Sequence, residues 1–307
     1  MEVCLAWFNP RILRYVDEIS RCGSIRGAGE KLNVAPSSIN RQLIALEERL
    51  GVQLFERGPR RMVLTAAGEL IVAYARQTGS AERRMLDELD TLKGARASHC
   101  TISTVAGVAG DLLAHVLASH RKENPGTTFT VQVTNAEAVA AAVAANETDI
   151  GFAFDMPRLP RTSIAASIRT ECGAVVGPGH PLATHRRVHL HEIATYPLVL
   201  PIPGVSVRNA LDNAAWQAGL RLQPALESDN FDLLRRCMVH DHAVAVLNRM
   251  DVLHAAEAGE CVFLPLIEIR GFSQDLSVMH FAQSRPTHAA RLLLDRLGAL
   301  LTGIANV

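Results

Sequence analysis

Between residues 9 and 65 the apolar residues recur at helical spacing in three successive segments and then form two short runs. The first segment opens with Asn9 as a cap and Pro10 at a position that needs no N–H. Ser24 caps the second segment, and Gly51 ends the third. The third segment carries one apolar stripe, formed by Ile39, Leu43, Leu46 and Leu50. This pattern predicts three helices and a small hairpin, the layout of a winged helix-turn-helix.

The third predicted helix has a polar face suited to reading DNA. Its apolar stripe must pack inward, which turns Ser37, Asn40 and Arg41 to the opposite side. Asparagine can bridge an adenine edge, arginine can bind guanine or a phosphate, and a helix N-terminus favours a nearby phosphate. Pro36 sets the start of this helix, so we predict that all four residues contact DNA.

The hairpin after this helix has a basic tip. Its predicted strands are 52–55 and 62–64, and Arg57, Arg60 and Arg61 lie between or beside them. Such a wing suits contact with the DNA backbone or the minor groove. A polar helix face or an arginine-rich turn is common in proteins that never touch DNA. The combination of three helices with a basic wing is much harder to obtain by accident.

Three runs of this region, 26–43, 46–57 and 64–69, resemble the DNA-binding domain of LysR-type transcriptional regulators and follow in that family's order. Many members carry Ser at the position of Ala35, followed by Gln and Pro where this chain has Pro36 and Ser37. Losing the capping hydroxyl costs about 1 kcal/mol, which Pro36 partly offsets by fixing φ. Base preference at positions 36 and 37 is therefore not carried over from the family.

A long helix is predicted from Thr65 to about Leu92. Ile71, Thr78, Met85 and Leu92 fall seven apart, a spacing typical of paired helices. A single surface helix packed on its own domain is the alternative, because the polar stretch 77–84 interrupts the seam. The resemblance implies that this linker helix pairs two subunits, so that two recognition helices read two half-sites.

Beyond Gly94 the pattern changes to strands alternating with helices. The predicted strands are Ile102–Val105, Phe129–Val133, Ile150–Phe154, Ala174–Val176, Leu198–Leu200, Pro224–Glu227 and Val244–Leu247. Helical stretches at 110–121 and 136–145 separate the first three strands. The alternation predicts a parallel α/β arrangement, and hence a multi-domain α/β protein.

The resemblance implies a periplasmic-binding-protein-like pair of α/β subdomains with a ligand cleft between them. We expect a winged helix-turn-helix domain at 1–65, a linker or dimerisation helix at 66–94 and an effector-binding domain at 95–307. Within the effector-binding domain, subdomain I is expected at about 98–168 plus 270–301, and subdomain II at about 169–269.

Small ligands in open α/β sheets bind beyond the C-terminal ends of the strands. The loops after the first, second and fifth predicted strands are therefore expected to line the cleft. The predicted effector-contacting residues are Thr104, Ala106, Thr134, Asn135, Ser206 and Arg208. Ser206 and Arg208 open a helix beside a Gly/Pro-rich loop, which suits a carboxylate. The apolar run 105–109 favours an effector that also has a hydrophobic part.

Three of these residues also have a plain structural interpretation. Ser206 could be an ordinary helix cap. Thr104 and Thr134 could be β-branched strand ends whose hydroxyls bond within the protein.

Composition agrees with a cytoplasmic, multi-domain regulator. At 307 residues the chain is long for one core. Residues 1–65 hold ten Lys/Arg against seven Asp/Glu, whereas residues 98–307 hold sixteen against nineteen, so the basic end suits DNA binding. No signal peptide or membrane span is expected.

The six cysteines are scattered without a CxxC pair, which favours reduced, mostly buried thiols. Some relatives in the family use a redox-sensing pair, but the spacing here gives no support for one.

Two groups of histidines invite a metal hypothesis. His240, Asp241 and His242 are adjacent and replace a turn that is commonly Gly-rich in the family, but adjacent residues rarely converge on one ion, so a solvated or left-handed turn is preferred. The run His185, His189 and His191 meets the same objection, with two arginines adding repulsion. We therefore expect no metal and no cofactor; both groups could respond to pH at the surface.

Three classes of function remain. The first is a regulator that binds double-stranded DNA and is controlled by a small-molecule effector. The resemblance adds a homodimer or homotetramer, an interrupted palindrome and control of a neighbouring gene. The second is a small-molecule-binding protein whose N-terminal helices contact proteins. The third is an enzyme, and the sequence has no GxSxG, GxxxxGK[ST] or HExxH motif to support it. We expect the first.

Overall fold

The structure is a computed structural model that describes residues 9–58, 61–92, 98–240, 242–269, 272–283 and 285–305. The chain divides into two units. The N-terminal unit ends at Leu86, and the C-terminal unit contains everything from Asp87 apart from Ala145–Glu147. No helix in the described ranges combines the length and the apolar character needed to cross a membrane.

Three short helices open the N-terminal unit: α1 (Pro10–Cys22), α2 (Ile25–Leu32) and α3 (Pro36–Leu50). The side chain of Asn9 accepts a hydrogen bond from the N–H of Arg11, and Ser24 Oγ accepts one from Gly27. Each helix ends at a residue in the left-handed conformation, namely Gly23, Asn33 and Gly51. The predicted caps therefore form as the sequence indicated.

A small hairpin follows, with β1 (Phe55–Arg57) antiparallel to β2 (Met62–Leu64). Leu54 and Phe55 are buried in the same core as the apolar stripe of α3. The backbone N–H of Met62 donates to the carbonyl of Gly23 at 2.8 Å, which ties the hairpin to the end of α1. The predicted winged helix-turn-helix is therefore confirmed.

The long helix α4 (Ala66–Leu92) starts where Thr65 Oγ1 accepts a hydrogen bond from Gly68. Val72 is buried in the core of the N-terminal unit, and Ala75 is also buried. Ile71 is partly buried on the same core, so it does not belong to an exposed seam. The exposed apolar row starts one residue earlier, with Leu70, and continues through Tyr74 and Met85.

The C-terminal unit is built on nine described strands in one mixed sheet. These strands are β3 (Ser98–Thr104), β4 (Thr127–Val133), β5 (Ile150–Phe154), β6 (Thr162–Val176), β7 (Leu198–Pro201), β8 (Pro224–Ser228), β9 (Val244–Asn248), β10 (Val262–Pro265) and β11 (Ser273–Phe281).

The helices of this unit cover both faces of the sheet. They are α5 (Ala106–Val108), α6 (Ala114–Glu123), α7 (Ala136–Ala144), α8 (Leu190–Ile193), α9 (Ser206–Gln217), α10 (Phe231–His240), α11 (Leu253–Glu257) and α12 (His288–Ala305). A π-helical turn at Ala109–Leu113 joins α5 to α6. Short 3-10 turns lie at Pro181–Thr184, Arg249–Asp251 and Ile267–Ile269.

The strand order is β4-β3-β5-β11-β6-β9-β7-β8, and β10 also pairs with β6. We call β4, β3, β5, β11 and the first part of β6 half I, and the rest of β6 with β9, β7, β8 and β10 half II. The parallel prediction is correct for β3, β4 and β5 and for β7, β8 and β9. It is wrong for β6, which pairs antiparallel with β9, β10 and β11, and the strands β10 and β11 were not predicted.

Each half has its own buried core. Phe152, Ile102 and Leu293 belong to the core of half I, and Leu200, Leu211 and Val246 belong to that of half II. In the described sheet β6 connects the two halves, because it pairs with β11 in half I and with β9 and β10 in half II. Two compact α/β layers are thus joined by a shared strand.

Candidate DNA-binding surface and effector cleft

Helix α3 presents a polar face away from the N-terminal core. Ile39, Leu43 and Leu46 are buried, while Ser37 and Arg41 are exposed. Pro36 is also exposed and starts the helix after Ala35, which supplies no side-chain cap. Asn40 is half-buried on the same side. The first two turns of α3 therefore combine the chemistry for base and phosphate contact with exposure to solvent.

Hydrogen bonds to the neighbouring helices hold the wing in place. Glu47 Oε1 accepts from the N–H of Leu54 at 2.7 Å, which anchors the start of the hairpin to α3. Arg61 is exposed at the end of the tip. Arg57 ends β1, but its side chain and all of Arg60 lie outside the described residues. One predicted cation of the wing is thus placed at the surface, and the other two stay predictions.

In half I, the ends of three parallel strands meet at one edge of the sheet. Thr104 pairs in register with Val133 of β4 and with Phe152 of β5. The segments that follow these strands are therefore neighbours: Ala106 begins α5, Thr134 follows β4 and Asp155 follows β5. This edge is where the sheet rule places a ligand.

Three of the four predicted residues of this edge have hydrogen-bond partners within the protein. Thr104 is buried, and its hydroxyl donates to the carbonyl of Phe152 at 2.7 Å, so it acts as a satisfied strand end. The backbone N–H of Thr134 donates to the carbonyl of Thr104. Asn135 Oδ1 accepts from Ala138 and caps α7. Ala106 is half-buried at the start of α5. Their contact with an effector stays a prediction.

Ser206 faces this edge from half II. It is exposed at the start of α9, and its Oγ accepts a hydrogen bond of 2.7 Å from Gln274 Nε2. The same Gln274 nitrogen donates to Asp155 Oδ2 at 3.1 Å. A residue of β11 therefore joins the ligand-facing edge of half I to the first turn of α9.

The side chain of Arg208 is not free to contact an effector, although its position at a helix start suggested that role. It is 9% exposed, and its guanidinium donates to Asp212, to Glu227 and to the carbonyl of Pro201. Although burial opposes the charge, the hydrogen bonds to the two carboxylates raise its pKa. These contacts tie α9 to β7 and β8, and they argue against Arg208 as an effector ligand.

A buried polar network lies behind Gln274. Asn248 Nδ2 donates to Gln274 Oε1 at 3.0 Å, and the Cys172 thiol donates to the same oxygen at 3.3 Å. Thr170 donates to Asn248 Oδ1. Every one of these groups is satisfied by a neighbour, so the network fixes the rotamer of Gln274 at the junction of the two halves.

Asp251 is a buried carboxyl at the contact between the halves. Its Oδ2 accepts from the N–H of Asn248 at 3.0 Å, whereas its buried Oδ1 has no hydrogen-bond partner among the described residues. Oδ1 packs against Gly107 so closely that a Cβ there would lie 2.2 Å from it. Burial raises the pKa of Asp251 to about 7, with a further contribution from the nearby Asp111 carboxylate.

The sequence did not point to Asp155, Gln274, Asn248 or Asp251. Asp155 follows the third strand directly, so the rule that selected Thr134 would also have selected it. Gln274 and Asn248 carry no such signal, because they reach the junction only through the antiparallel pairing of β11 and β9 with β6.

The described cysteines are free thiols in the structure. Cys172 and Cys261 are buried, and burial raises the pKa of both thiols, that of Cys261 to about 11. A thiol with a raised pKa is a poor nucleophile for oxidants. Cys4 lies outside the described residues.

His242 has φ of +48°, so the predicted left-handed turn is present there. Asp241 and the side chain of His240 lie outside the described residues, and so the predicted group of three potential ligands lies outside them as well.

Two family models match the chain. The model described as "Bacterial regulatory helix-turn-helix protein, lysR family" matches residues 10–69. The model described as "LysR substrate binding domain" matches residues 93–302. The two matches follow the order of the units described above.

Relatives and solved structures agree with these matches. The "RuBisCO operon transcriptional regulator" of Allochromatium vinosum is 25% identical over 263 residues, 85% of each chain. A "Probable nitrogen assimilation transcriptional activator" of Synechococcus elongatus is 23% identical over 255 residues, 82% of each chain. The crystal structure of CbnR has a TM-score of 0.66 at 19% identity and covers 97% of this chain and 99% of that chain. A full-length OxyR variant from Pseudomonas aeruginosa has a TM-score of 0.68 at 16% identity, with 94% of each chain covered.

Proposed function

Because this chain belongs to the LysR family of DNA-binding transcriptional regulators, we propose that it binds a promoter site through α3 and its wing. The protein would bind as a homodimer. A small molecule bound at the junction of halves I and II would control this binding. The observation that carries this proposal is the exposed polar face of α3, opposite the buried stripe Ile39, Leu43 and Leu46. The site would be an interrupted palindrome, and the protein would act in the cytoplasm.

The DNA contact is proposed in two parts. Ser37, Asn40 and Arg41 would face base edges and phosphates in the major groove, with Pro36 at the groove wall. Arg61, together with Arg57 and Arg60, would approach the backbone or the minor groove beside it. A solved CbnR of similar fold is described as complexed with its target DNA, which supports this use of the same elements.

Replacing Arg41 with alanine should weaken specific DNA binding by about 1 to 3 kcal/mol, because a charged contact to a base or phosphate is lost. The measurement is binding of the full chain to DNA from the region upstream of its own gene, at fixed salt and with excess competitor DNA. Arg121→Ala removes the same charge from an exposed position of α6 and should leave the affinity unchanged.

An unchanged affinity for Arg41→Ala would contradict the proposed contact. If the wild type binds that DNA only without sequence preference, the alternative function, a ligand-binding protein whose N-terminal helices contact proteins, gains support.

We propose that α4 pairs with its copy in a second subunit. The row Leu70, Tyr74 and Met85 is exposed and lies opposite the buried side of the helix. Exposed apolar rows at this spacing are covered in paired helices. Pairing would place two copies of α3 for two half-sites. Whether two dimers assemble further into a tetramer is a separate expectation of the resemblance.

Replacing Leu70 with glutamate should shift the protein from dimer to monomer, with a dissociation constant raised about tenfold or more by a buried, unpaired charge. Leu70 is 73% exposed in the single chain, so folding of the subunit should be unaffected. Sedimentation at several protein concentrations measures the shift. Leu86→Glu makes the same change at another exposed position, about 160° around α4 from Leu70, and serves as the control; equal dimerisation of both variants would contradict the pairing.

The effector is proposed to lie between the edge formed by Ala106 and Thr134 and the first turn of α9 at Ser206. The apolar segment 105–109 fits a hydrophobic part, and the N-terminus of α9 fits an anionic part. Gln274 and Asp155 add hydrogen-bonding groups at the same place. We also propose three domains: the winged helix-turn-helix at 1–65, the linker helix at 66–94 and the effector-binding domain at 95–307. Subdomains I and II of the last domain have the limits given above.

A further inference from the structure

Three side chains with metal-binding atoms converge on the surface of half II. His189 and His191 stand at the start of α8, and Glu268 comes from the 3-10 turn that follows β10. In the part of the chain that the structure describes, they form a group in which one ligand atom of each lies within 4.8 Å of the others. His189 Nδ1 is 3.0 Å from Glu268 Oε1, and the two imidazole rings stack with centroids 5.2 Å apart.

The backbone brings the two segments together. Val188 and Leu266 form a parallel bridge, in which Val188 donates to the carbonyl of Pro265 and accepts from Ile267. Glu268 Oε2 also accepts from the N–H of Leu190 at 3.0 Å. The positions of the potential ligands are therefore set by main-chain contacts rather than by flexible side chains alone, as a metal site requires.

Two imidazoles and one carboxylate are a donor set for divalent transition metals. Zn²⁺ binds such sets, with ligand atoms about 2.0 to 2.2 Å from the ion and water in the remaining position. Ni²⁺ and Cu²⁺ accept the same donors, whereas Ca²⁺ and Mg²⁺ prefer oxygen ligands. We propose that His189, His191 and Glu268 bind one divalent transition-metal ion, with Zn²⁺ as the representative.

The charge around the group is compatible with a cation. Arg186 and Arg187 precede it on exposed positions, but Glu192 and Glu268 each place a carboxylate beside His189, and Glu192 Oε2 accepts from its backbone N–H. The two acids offset the two arginines. The earlier objection was that residues adjacent in sequence rarely converge on one ion. It does not apply to this group, because the third ligand, Glu268, lies 79 positions beyond His189.

A competing explanation makes the pair His189 and Glu268 a simple cap of α8. That explanation gives His191 no part, because its side chain is exposed and only stacks on His189. His191 is therefore the residue that separates the two explanations. Metal binding would also pin the connection between β10 and β11 to α8, because Glu268 lies on that connection.

The test is calorimetric titration of the full chain with Zn²⁺ near neutral pH in a non-chelating buffer. The wild type should bind one Zn²⁺ per chain at this group, and His191→Ala should weaken that binding about tenfold or more by removing one ligand. His185→Ala removes an exposed histidine from the same segment but outside the group, and it should bind as the wild type does. Glu268→Gln keeps an oxygen for Leu190 and should weaken binding as well.

Zn²⁺ should also raise the melting temperature of the wild type and the His185 variant more than that of His191→Ala. No Zn²⁺ binding by the wild type, or equal affinities of the wild type and His191→Ala, would overturn the proposal.

Discussion

Replacing Asp251 with asparagine should stabilise the C-terminal unit at neutral and alkaline pH and reduce the pH dependence of its stability. In the unfolded chain this carboxyl ionises near its ordinary pKa of 3.8, whereas in the folded chain burial raises the pKa to about 7. Between these values only the folded state holds the proton, so the free energy of unfolding falls as the pH rises through this window. At about 1.4 kcal/mol per pH unit, the loss reaches roughly 4 kcal/mol above pH 7.

The surroundings of Asp251 explain why its ionised form is costly. Among the described residues its Oδ1 has no donor and faces Gly107, and the titratable groups that interact with this carboxyl include the Asp111 carboxylate and the Cys172 thiol. Neither supplies positive charge. The Asn248 N–H, which bonds Oδ2, favours the ionised form but does not outweigh burial.

Chemical unfolding of the full chain at several pH values between 4 and 8 measures the effect of Asp251→Asn. The variant should gain about 2 to 4 kcal/mol over the wild type above pH 7 and little or nothing near pH 4. Asp229→Asn changes an exposed carboxyl and should leave the pH profile of the wild type intact. A constant difference between Asp251→Asn and the wild type at all pH values would contradict the raised pKa.

Replacing Gly68 with alanine should destabilise the N-terminal unit by about 3 kcal/mol, since overpacking against backbone is among the most damaging changes. A Cβ on Gly68 would lie 2.0 Å from the carbonyl oxygen of Leu54 and 3.0 Å from Leu64 Cδ2. That carbonyl already accepts from the N–H of Thr65, so it cannot swing aside without breaking the connection between hairpin and α4. Thermal unfolding of the full chain measures the loss.

Gly79→Ala is the matched control in the same helix. Its Cβ would meet only the flexible end of Arg83, 4.0 Å away, so the ordinary helix preference of alanine should stabilise the protein by about 0.5 to 1 kcal/mol. Opposite signs for the two glycines are therefore expected. Stabilisation by Gly68→Ala would mean that α4 does not approach the wing as closely as described.

The N-terminal unit was predictable because its signals are local. Asn9 and Ser24 cap the helices that they precede, and Gly51 ends α3, all within a few residues of the structure they determine. The resemblance to a family added the order of the elements. The seam on α4 was predicted one residue late, because heptad spacing alone does not show that Ile71 packs on the core of its own unit.

The C-terminal unit was predictable only in part. The parallel strands β3, β4 and β5 have clear apolar runs, but the prediction missed the first twelve of the fifteen residues of β6, where exposed and partly buried residues alternate over most of the stretch from Thr162. It also missed β10 and β11. Arg208 was chosen for its position at a helix start, and sequence could not show that Glu227 of a neighbouring strand neutralises it. The junction residue Gln274 likewise depends on strand pairing.

The place of β11 in the sheet sets an order of events during synthesis on the ribosome. β11 lies between β5 and β6, and α12, which supplies much of the core of half I, follows it at the end of the chain. Half I therefore cannot close until α12 has emerged, although its first strand is made early. The N-terminal unit can fold earlier, because α1 to α3 and the hairpin are formed by the first part of the chain alone. The nascent protein should acquire its proposed DNA-reading surface well before its proposed effector cleft is complete.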